Sequence, residues 1–302
     1  MLHWAARRAS HASDGAELAG YHYQAYGLHV YSDFPLPDLP VAPSSRPDIT
    51  ICSPGDCPRL QPAESVGAPQ DFAFGTREGS FRIVGGCEIA VRPSVPDRAA
   101  AVVSNMALAL CLHQRGLCVL HGASFEIEGE AVCVIGPSGS GKSTLAGVLS
   151  TRGRPLIADD TCAIALETMC VHPSGGSLRL WPDSLSALGI SATSLPLVFA
   201  NGEKRRLSTR YRSQEARRIS RVYTLRWNGI ARPKLVRLAP SRAVVAMMQA
   251  SHGLRVFAGE HLARVAHVAQ TVPVLEITAA RDFSVLPMIA TLVEEPDRFH
   301  AL

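Results

Sequence analysis

From Tyr21 to about Pro93 the apolar positions alternate or gather in short runs, the pattern of strands separated by turns. Tyr21-His22-Tyr23-Gln24-Ala25-Tyr26 alternates, and Pro47-Asp48-Ile49-Thr50-Ile51-Cys52 resumes an extended run. Phe81 to Val91 reads as a hairpin turning at Gly85-Gly86. Pro35, Pro37, Pro40 and Pro43 keep the intervening loop stiff and non-helical. Residues ahead of Tyr21 read as a short helical or poorly ordered lead-in. Pro96-Asp97 then opens a helix that runs to about Gln114 and stops at Gly116. Its apolar stretch, Ala99 to Leu112, falls short of the ~20 residues of a membrane span, so it predicts a core helix.

Beyond Gly116 the period changes repeatedly. Strands are expected at Leu117 to His121, Ser124 to Ile127, Ala131 to Ile135, Leu156 to Ala158, Ala163 to Leu166 and Val274 to Ile277. Helices are expected from Thr144 to Ser150, Leu254 to Gln270 and Ser284 to Val293. The expected fold class is therefore α/β (α+β), with a β-rich N-terminal region over 1–96 and a catalytic domain over 97–302.

One motif dominates the chemistry. Gly136-Pro137-Ser138-Gly139-Ser140-Gly141-Lys142-Ser143 is a complete G-x-x-x-x-G-K-S loop, followed by Thr144, and it lies between an apolar strand and a helix. Its glycines let successive N–H groups face phosphate oxygens, and the helix N-terminus adds partial positive charge. Lys142 is expected to reach the β- and γ-phosphates of ATP, and the Ser143 hydroxyl to ligate Mg²⁺. Asp159-Asp160 closes the next apolar strand, the usual position of a metal-coordinating carboxylate. Adjacent strand residues point to opposite faces, which predicts two jobs: one aspartate by the metal, one by the acceptor. His121-Gly122 ends the strand ahead of the loop, where a lone histidine is usually structural.

Composition narrows the picture modestly. Lys142, Lys204 and Lys234 are the three lysines of an arginine-rich chain whose formal charge, +4, is too mild to argue for nucleic acid. From Lys204 to Arg237 the chain is strongly basic, with Glu215 its single acid. Lys204 and Arg205, after an apolar strand and an Asn201-Gly202 turn, and Arg226 are the candidate substrate or phosphate contacts. Ser208 to Ser220 reads as a flexible loop that orders on substrate. Nucleic acid is the disfavoured partner, because no stacking aromatics interleave with these arginines. The eight cysteines are scattered without zinc spacing, and Met1 to Arg8 lacks the apolar run of a secretory signal. Both features set the expectation of a cytoplasmic protein with no membrane span.

Leu120-His121-Gly122-Ala123, the loop through Thr144, and Leu156-Ile157-Ala158-Asp159-Asp160 resemble, in order and spacing, the catalytic core of the bacterial HPr serine kinase/phosphorylase family. The resemblance implies a P-loop kinase core, ATP and Mg²⁺ as cofactors, and transfer of a phosphoryl group to serine. It also implies that His121 orients Asp160, or Asp159, as the base, with the other aspartate beside the metal. The family's ring assemblies make a homo-oligomer an expectation. Leu178-Arg179-Leu180-Trp181-Pro182-Asp183, Val272-Pro273-Val274, Tyr26-Gly27-Leu28 and Ser32-Asp33-Phe34-Pro35-Leu36-Pro37 are similar to the tailoring kinases of lasso-peptide biosynthesis. Such kinases phosphorylate a precursor peptide, typically at a C-terminal serine. The chain departs from the HPr kinases in lacking their metal-binding glutamate after the aspartates, where Asp183 stands. That leaves transfer from Mg·ATP to a peptide or small protein as the expectation, without the reverse phosphorylase reaction or HPr as acceptor. The competing expectations are a nucleotide hydrolase or switch, an ATP-binding accessory module of a biosynthetic complex, and a small-molecule kinase.

Overall fold

The computed structural model describes residues 20–53, 57–62, 64–199, 202–230, 232–251 and 254–296. The expected N-terminal lead-in and Asn201 of the expected turn lie outside these residues.

The first sheet contains β1 (Tyr21–Ala25), β2 (Leu28–Ser32), β3 (Ile49–Cys52), β4 (Ser65–Ala68), β5 (Asp71–Gly75), β6 (Gly79–Val84) and β7 (Glu88–Pro93). Their spatial order is β1-β2-β3-β7-β6-β5-β4. The β6–β7 hairpin pairs Val84 with Glu88 around Gly85-Gly86, both at positive φ, as the turn requires. Two helices follow, α1 (Pro96–Val102) and α2 (Leu108–Gln114), joined without a break by a π-turn over Val103–Ala107. Val103, Leu108 and Leu112 are buried in one cluster with Phe81, Ile89 and Ile51 of the first sheet. The same cluster takes in Val119, Ala163 and Phe257 from later in the chain, so the helix packs on both the first sheet and the elements that follow it. Burial of that apolar face is what stabilises it.

The second sheet and its helices carry the chemistry. Its elements are β8 (Cys118–Leu120), β9 (Gly122–Ile127), β10 (Glu130–Ile135), α3 (Lys142–Thr151), β11 (Leu156–Ala158), β12 (Cys162–Ala165) and β13 (Cys170–Val171). A separate ribbon pairs β14 (Ser177–Leu180) with β15 (Arg205–Ser208), and α4 (Pro182–Ala187) lies between them in sequence. Then come β16 (Arg217–Trp227), β17 (Lys234–Arg237), α5 (Pro240–Gln249), α6 (Leu254–Thr271), β18 (Val274–Ala279) and α7 (Leu286–Glu294). The path of the large sheet is β11-β9-β10-β16-β13-β12-β8, with β18 on β16 and β17 on β18. Val132 and Val134 face one cluster with Leu145 of α3, while Cys133 and Ile135 face another with Val265 of α6. A strand covered on both faces reads as a continuous apolar run, as Ala131 to Ile135 does.

The basic segment differs in part from expectation. Residues 209–216 do join β15 to β16 outside the strands, as expected of much of Ser208 to Ser220. From Arg217, however, the segment is β16, a central strand parallel to both β10 and β18. Ile219, Val222, Tyr223 and Leu225 are buried along it, between arginines that reach outward. Arg217 meets Glu126 at 2.9 Å and Glu215 at 2.7 Å. The count of positive charge masked this apolar pattern. Among the described residues no strand precedes Lys204 where an apolar one was expected; Leu197 makes a single bridge to Arg205.

Candidate active site

β9 runs antiparallel to both β10 and β11, so the start of β9 and the ends of β10 and β11 fall on one edge. That geometry gathers His121, the glycine-rich loop and the two aspartates, and the main chain ties them together. Gly136 N donates to the His121 carbonyl at 3.4 Å, and Gly122 N to the Asp160 carbonyl at 3.3 Å. Gly122 is required there, because a Cβ would stand 2.6 Å from the Val134 carbonyl oxygen. Sites of open parallel sheets form at such carboxyl ends of strands.

The loop has the shape of a phosphate cradle. Gly136, Gly139 and Gly141 all lie at positive φ, and Gly141 leads directly into α3. No acidic residue occupies the first turn of that helix, so its N-terminus keeps its positive character. The buried Ser140 hydroxyl has no hydrogen-bond partner among the described residues. Lys142 Nζ donates to the Pro137 carbonyl at 2.8 Å, which lays the ammonium across the loop. Burial pushes the Lys142 ammonium below its usual range, and Asp160 and Asp159 oppose that shift. These features fit a triphosphate.

The two aspartates differ, though not by strand alternation. Asp160 adopts a left-handed backbone (φ 63°), which turns the chain just past β11. Asp159 Oδ1 accepts from the Ser143 hydroxyl at 3.3 Å, and Oδ2 from Arg179 N at 3.3 Å. Burial first, and the Asp160 charge second, push the Asp159 carboxyl up to about 7. A hydroxyl and a carboxylate side by side are a donor set that suits Mg²⁺, which takes few protein oxygens and completes its shell with phosphates and water. Asp160 Oδ2 lies 3.4 Å from the Arg179 guanidinium and is partly exposed.

His121 Nδ1 stands 2.9 Å from the Asp160 carbonyl oxygen. A carbonyl only accepts, so Nδ1 carries the proton, and a neutral ring presents Nε2 as an acceptor. The histidine therefore acts on the aspartate turn through the main chain.

A cavity of about 500 Å³ opens on this edge. His121, Lys142, Ser143, Thr144 and Asp160 line it, with Ser138, Gly139, Gly141 and Lys204. Asp159 sits behind, in a small cleft with Asp160 and Asn105. Arg205 and Arg226 do not line the cavity, contrary to their expected role. Arg205 Nη1 donates to the Leu195 carbonyl at 3.3 Å. Strand alternation turns Arg226 away from the loop, to Glu276 at 3.7 Å. Lys204 does line the cavity, its ammonium 5.3 Å from the Trp181 ring centre.

Sequence reasoning missed other residues at the cavity. Trp227, at the tip of β16, donates from Nε1 to the Ser140 carbonyl at 3.2 Å. Arg281 donates to the Gly139 carbonyl at 3.2 Å. Arg179 is buried in β14 and bridges Asp160 to Asp38, whose Oδ2 lies 2.7 Å from Nη2. Asp38 also accepts from Arg206 at 2.5 Å. The legible signal for Arg179 was a lone charge inside the apolar run Leu178-Arg179-Leu180, which must find a partner when buried.

Fold and site together define an α+β protein of P-loop kinase-like fold. No family model matches the chain. The HPr kinase/phosphorylase of Polaromonas sp. (strain JS666 / ATCC BAA-500) is 30% identical over 208 residues, covering 65% of this chain and 60% of that protein. The HPr kinase/phosphorylase of Acidovorax sp. (strain JS42) is 32% identical over 202 residues, covering 65% of this chain and 59% of its own length. The chain is similar to these HPr kinase/phosphorylases, which support an HPr kinase-like family, and it spans about three-fifths of the length of these curated relatives. The solved Hpr(Ser) kinase/phosphatase from Coxiella burnetii aligns with a TM-score of 0.30 and 13% identity, over 61% of this chain and 99% of that one.

Proposed function

We propose that this protein is a Mg·ATP-dependent kinase that moves the γ-phosphoryl group to a serine hydroxyl of a peptide or protein. The observation that carries the reading is Asp160, an acidic side chain facing the same cavity as Lys142 and Ser143. The serine oxygen attacks the γ-phosphorus as the bond to the β-phosphate oxygen breaks, and the hydroxyl proton passes to the Asp160 carboxylate. His121, hydrogen-bonded to the Asp160 carbonyl, holds the turn that presents this base. Lys142, the loop amides and the helix N-terminus bind the phosphates, and the donors for magnesium are Ser143 and Asp159. Bound magnesium supplies charge neutralisation along the transferring phosphoryl group.

The acceptor we propose is a ribosomal precursor peptide of the lasso class, the substrate of the tailoring kinases whose segments this chain resembles. A homo-oligomer, and the reducing cytoplasm that eight free cysteines tolerate, belong to the same proposal. Incubation with [γ-³²P]ATP and candidate peptides tests it: label on a peptide serine is expected. Asp160→Asn should abolish transfer while ATP still binds; transfer at the parent rate would refute the base assignment. Free phosphate with no labelled acceptor would make the protein a hydrolase instead.

A further inference from the structure

Beside the nucleotide cavity lies a second one, of about 370 Å³, within the size range of ligand pockets. Asp160, Arg179, Trp181 and Lys204 line both, so the two cavities meet at the carboxylate. The remaining wall has a different origin. Ala101, Val102 and Met106 come from the helix packed on the first sheet, and Val198 and Phe199 from the segment before β15. Met106 is 40% exposed and Trp181 48%, although both are large and apolar. Arg98, whose guanidinium sits 5.0 Å from the centre of the Phe199 ring, and the acids Glu78 and Glu203 complete the lining.

The π-turn of Val103–Ala107 explains how a helix of the first sheet reaches the site. A π-turn widens the helix by one residue and is frequent where a helix must present side chains to a functional site. Here it brings Asn105 to the cleft beside both aspartates and Asn105 with Met106 into the second cavity.

We infer that this second cavity seats the acceptor, a peptide whose hydroxyl residue is followed or preceded by an apolar side chain. The inference rests on the kinase reading above and adds to it where the acceptor binds and which neighbour it needs. The hydroxyl reaches Asp160 at the junction, from the side opposite the glycine-rich loop's contribution. The neighbouring side chain packs against Met106 and Trp181, apolar surface that would otherwise face water, with Val102 and Val198 beside them.

The test uses the full chain, [γ-³²P]ATP with magnesium, and two pools of synthetic hexapeptides. In one pool a single serine is flanked by Leu or Phe; in the other it is flanked by Asp or Lys. Labelling of the apolar pool alone is expected. Met106→Glu should raise KM for that pool, lowering kcat/KM about tenfold or more, while Met106→Leu keeps it and the Kd for ATP stays at the parent value. Because Met106 is 40% exposed, neither variant places a charge or a bulkier group in the core. Equal labelling of the charged pool, or a Met106→Glu enzyme with the parent's KM, would overturn the inference and leave the kinase reading standing. A parent that binds ATP yet labels neither pool would overturn both.

Discussion

Replacing Asp38 with alanine tests how the first sheet is tied to the site. Asp38 and its two guanidinium partners form a nearly dry cluster, with side-chain exposures of 6% for Asp38, 10% for Arg179 and 13% for Arg206. At that burial the pairs are not surface ion pairs, for which ~0–1 kcal/mol would be expected. Removing one partner of a buried pair costs about 3–5 kcal/mol, because the remaining charge is left uncompensated. Arg206 would lose its carboxylate while Arg179 keeps Asp160 at 3.4 Å, so the lower part of that range applies. With Tm falling roughly 2–4 °C per kcal/mol in domains of comparable size, a drop of about 10 °C follows. Urea unfolding followed by tryptophan fluorescence, parent against Asp38→Ala, measures the free-energy loss, and a thermal scan the fall in Tm. Adding Arg206→Met to Asp38→Ala should recover part of the loss, since one orphaned charge is then gone. Nucleotide affinity should not change, because the glycine-rich loop does not contact Asp38. A stability change within ~0.5 kcal/mol, the range of an ordinary surface substitution, would refute the argument.

Two further predictions concern the loop and its metal donors. Lys142→Ala removes a charge-assisted contact to phosphate, so ATP affinity measured by calorimetry should fall by about 1.5–3 kcal/mol; an unchanged Kd would remove Lys142 from the phosphate site. The Asp159 carboxyl, raised from 3.8 to about 7, makes the metal-free folded protein hold a proton that the unfolded chain has already lost. Its contribution to stability is therefore greatest below about pH 4 and declines as pH rises towards 7, by on the order of a few kcal/mol. Asp159→Asn should flatten that slope in urea titrations, and Mg·ATP binding near pH 6 should release a proton, read from calorimetry in buffers of different ionisation heat. Identical slopes, or binding without proton release, would sink this account.

The parts of the site legible in the sequence are those whose chemistry is local. Gly136 to Ser143 needs positive-φ glycines, a lysine and a hydroxyl within one turn, and all of them are adjacent in the chain. Strands β10 and β11 announce themselves as apolar runs, so the aspartates at the end of β11 could be placed at a strand terminus. What could not be read was pairing across long separations. Asp38 meets Arg179 at a distance of 141 residues along the chain, and nothing in Pro37-Asp38-Leu39 distinguishes it from a surface turn. The arginines of β16 drew attention to their charge and away from the apolar residues between them. Hence Arg226 was expected at the phosphates, whereas the strand's two-residue period sends Trp227 there instead. His121 was expected, by resemblance, to orient Asp160 or Asp159, and one contact that joins it to this turn is with the Asp160 main chain.

The braces on the glycine-rich loop come from remote parts of the polypeptide: Trp227 lies 87 residues beyond Ser140, and Arg281 lies 142 beyond Gly139. A ribosome that has finished the loop has made His121, whose carbonyl Gly136 bonds, but neither of these two braces. Nascent chains must emerge almost to the last helix before the pocket can close into its working shape. Such non-local assembly is slow and leaves sheet edges open meanwhile. Truncations near the C-terminus, far from the loop in sequence, should accordingly be as damaging to the pocket as changes within the loop itself.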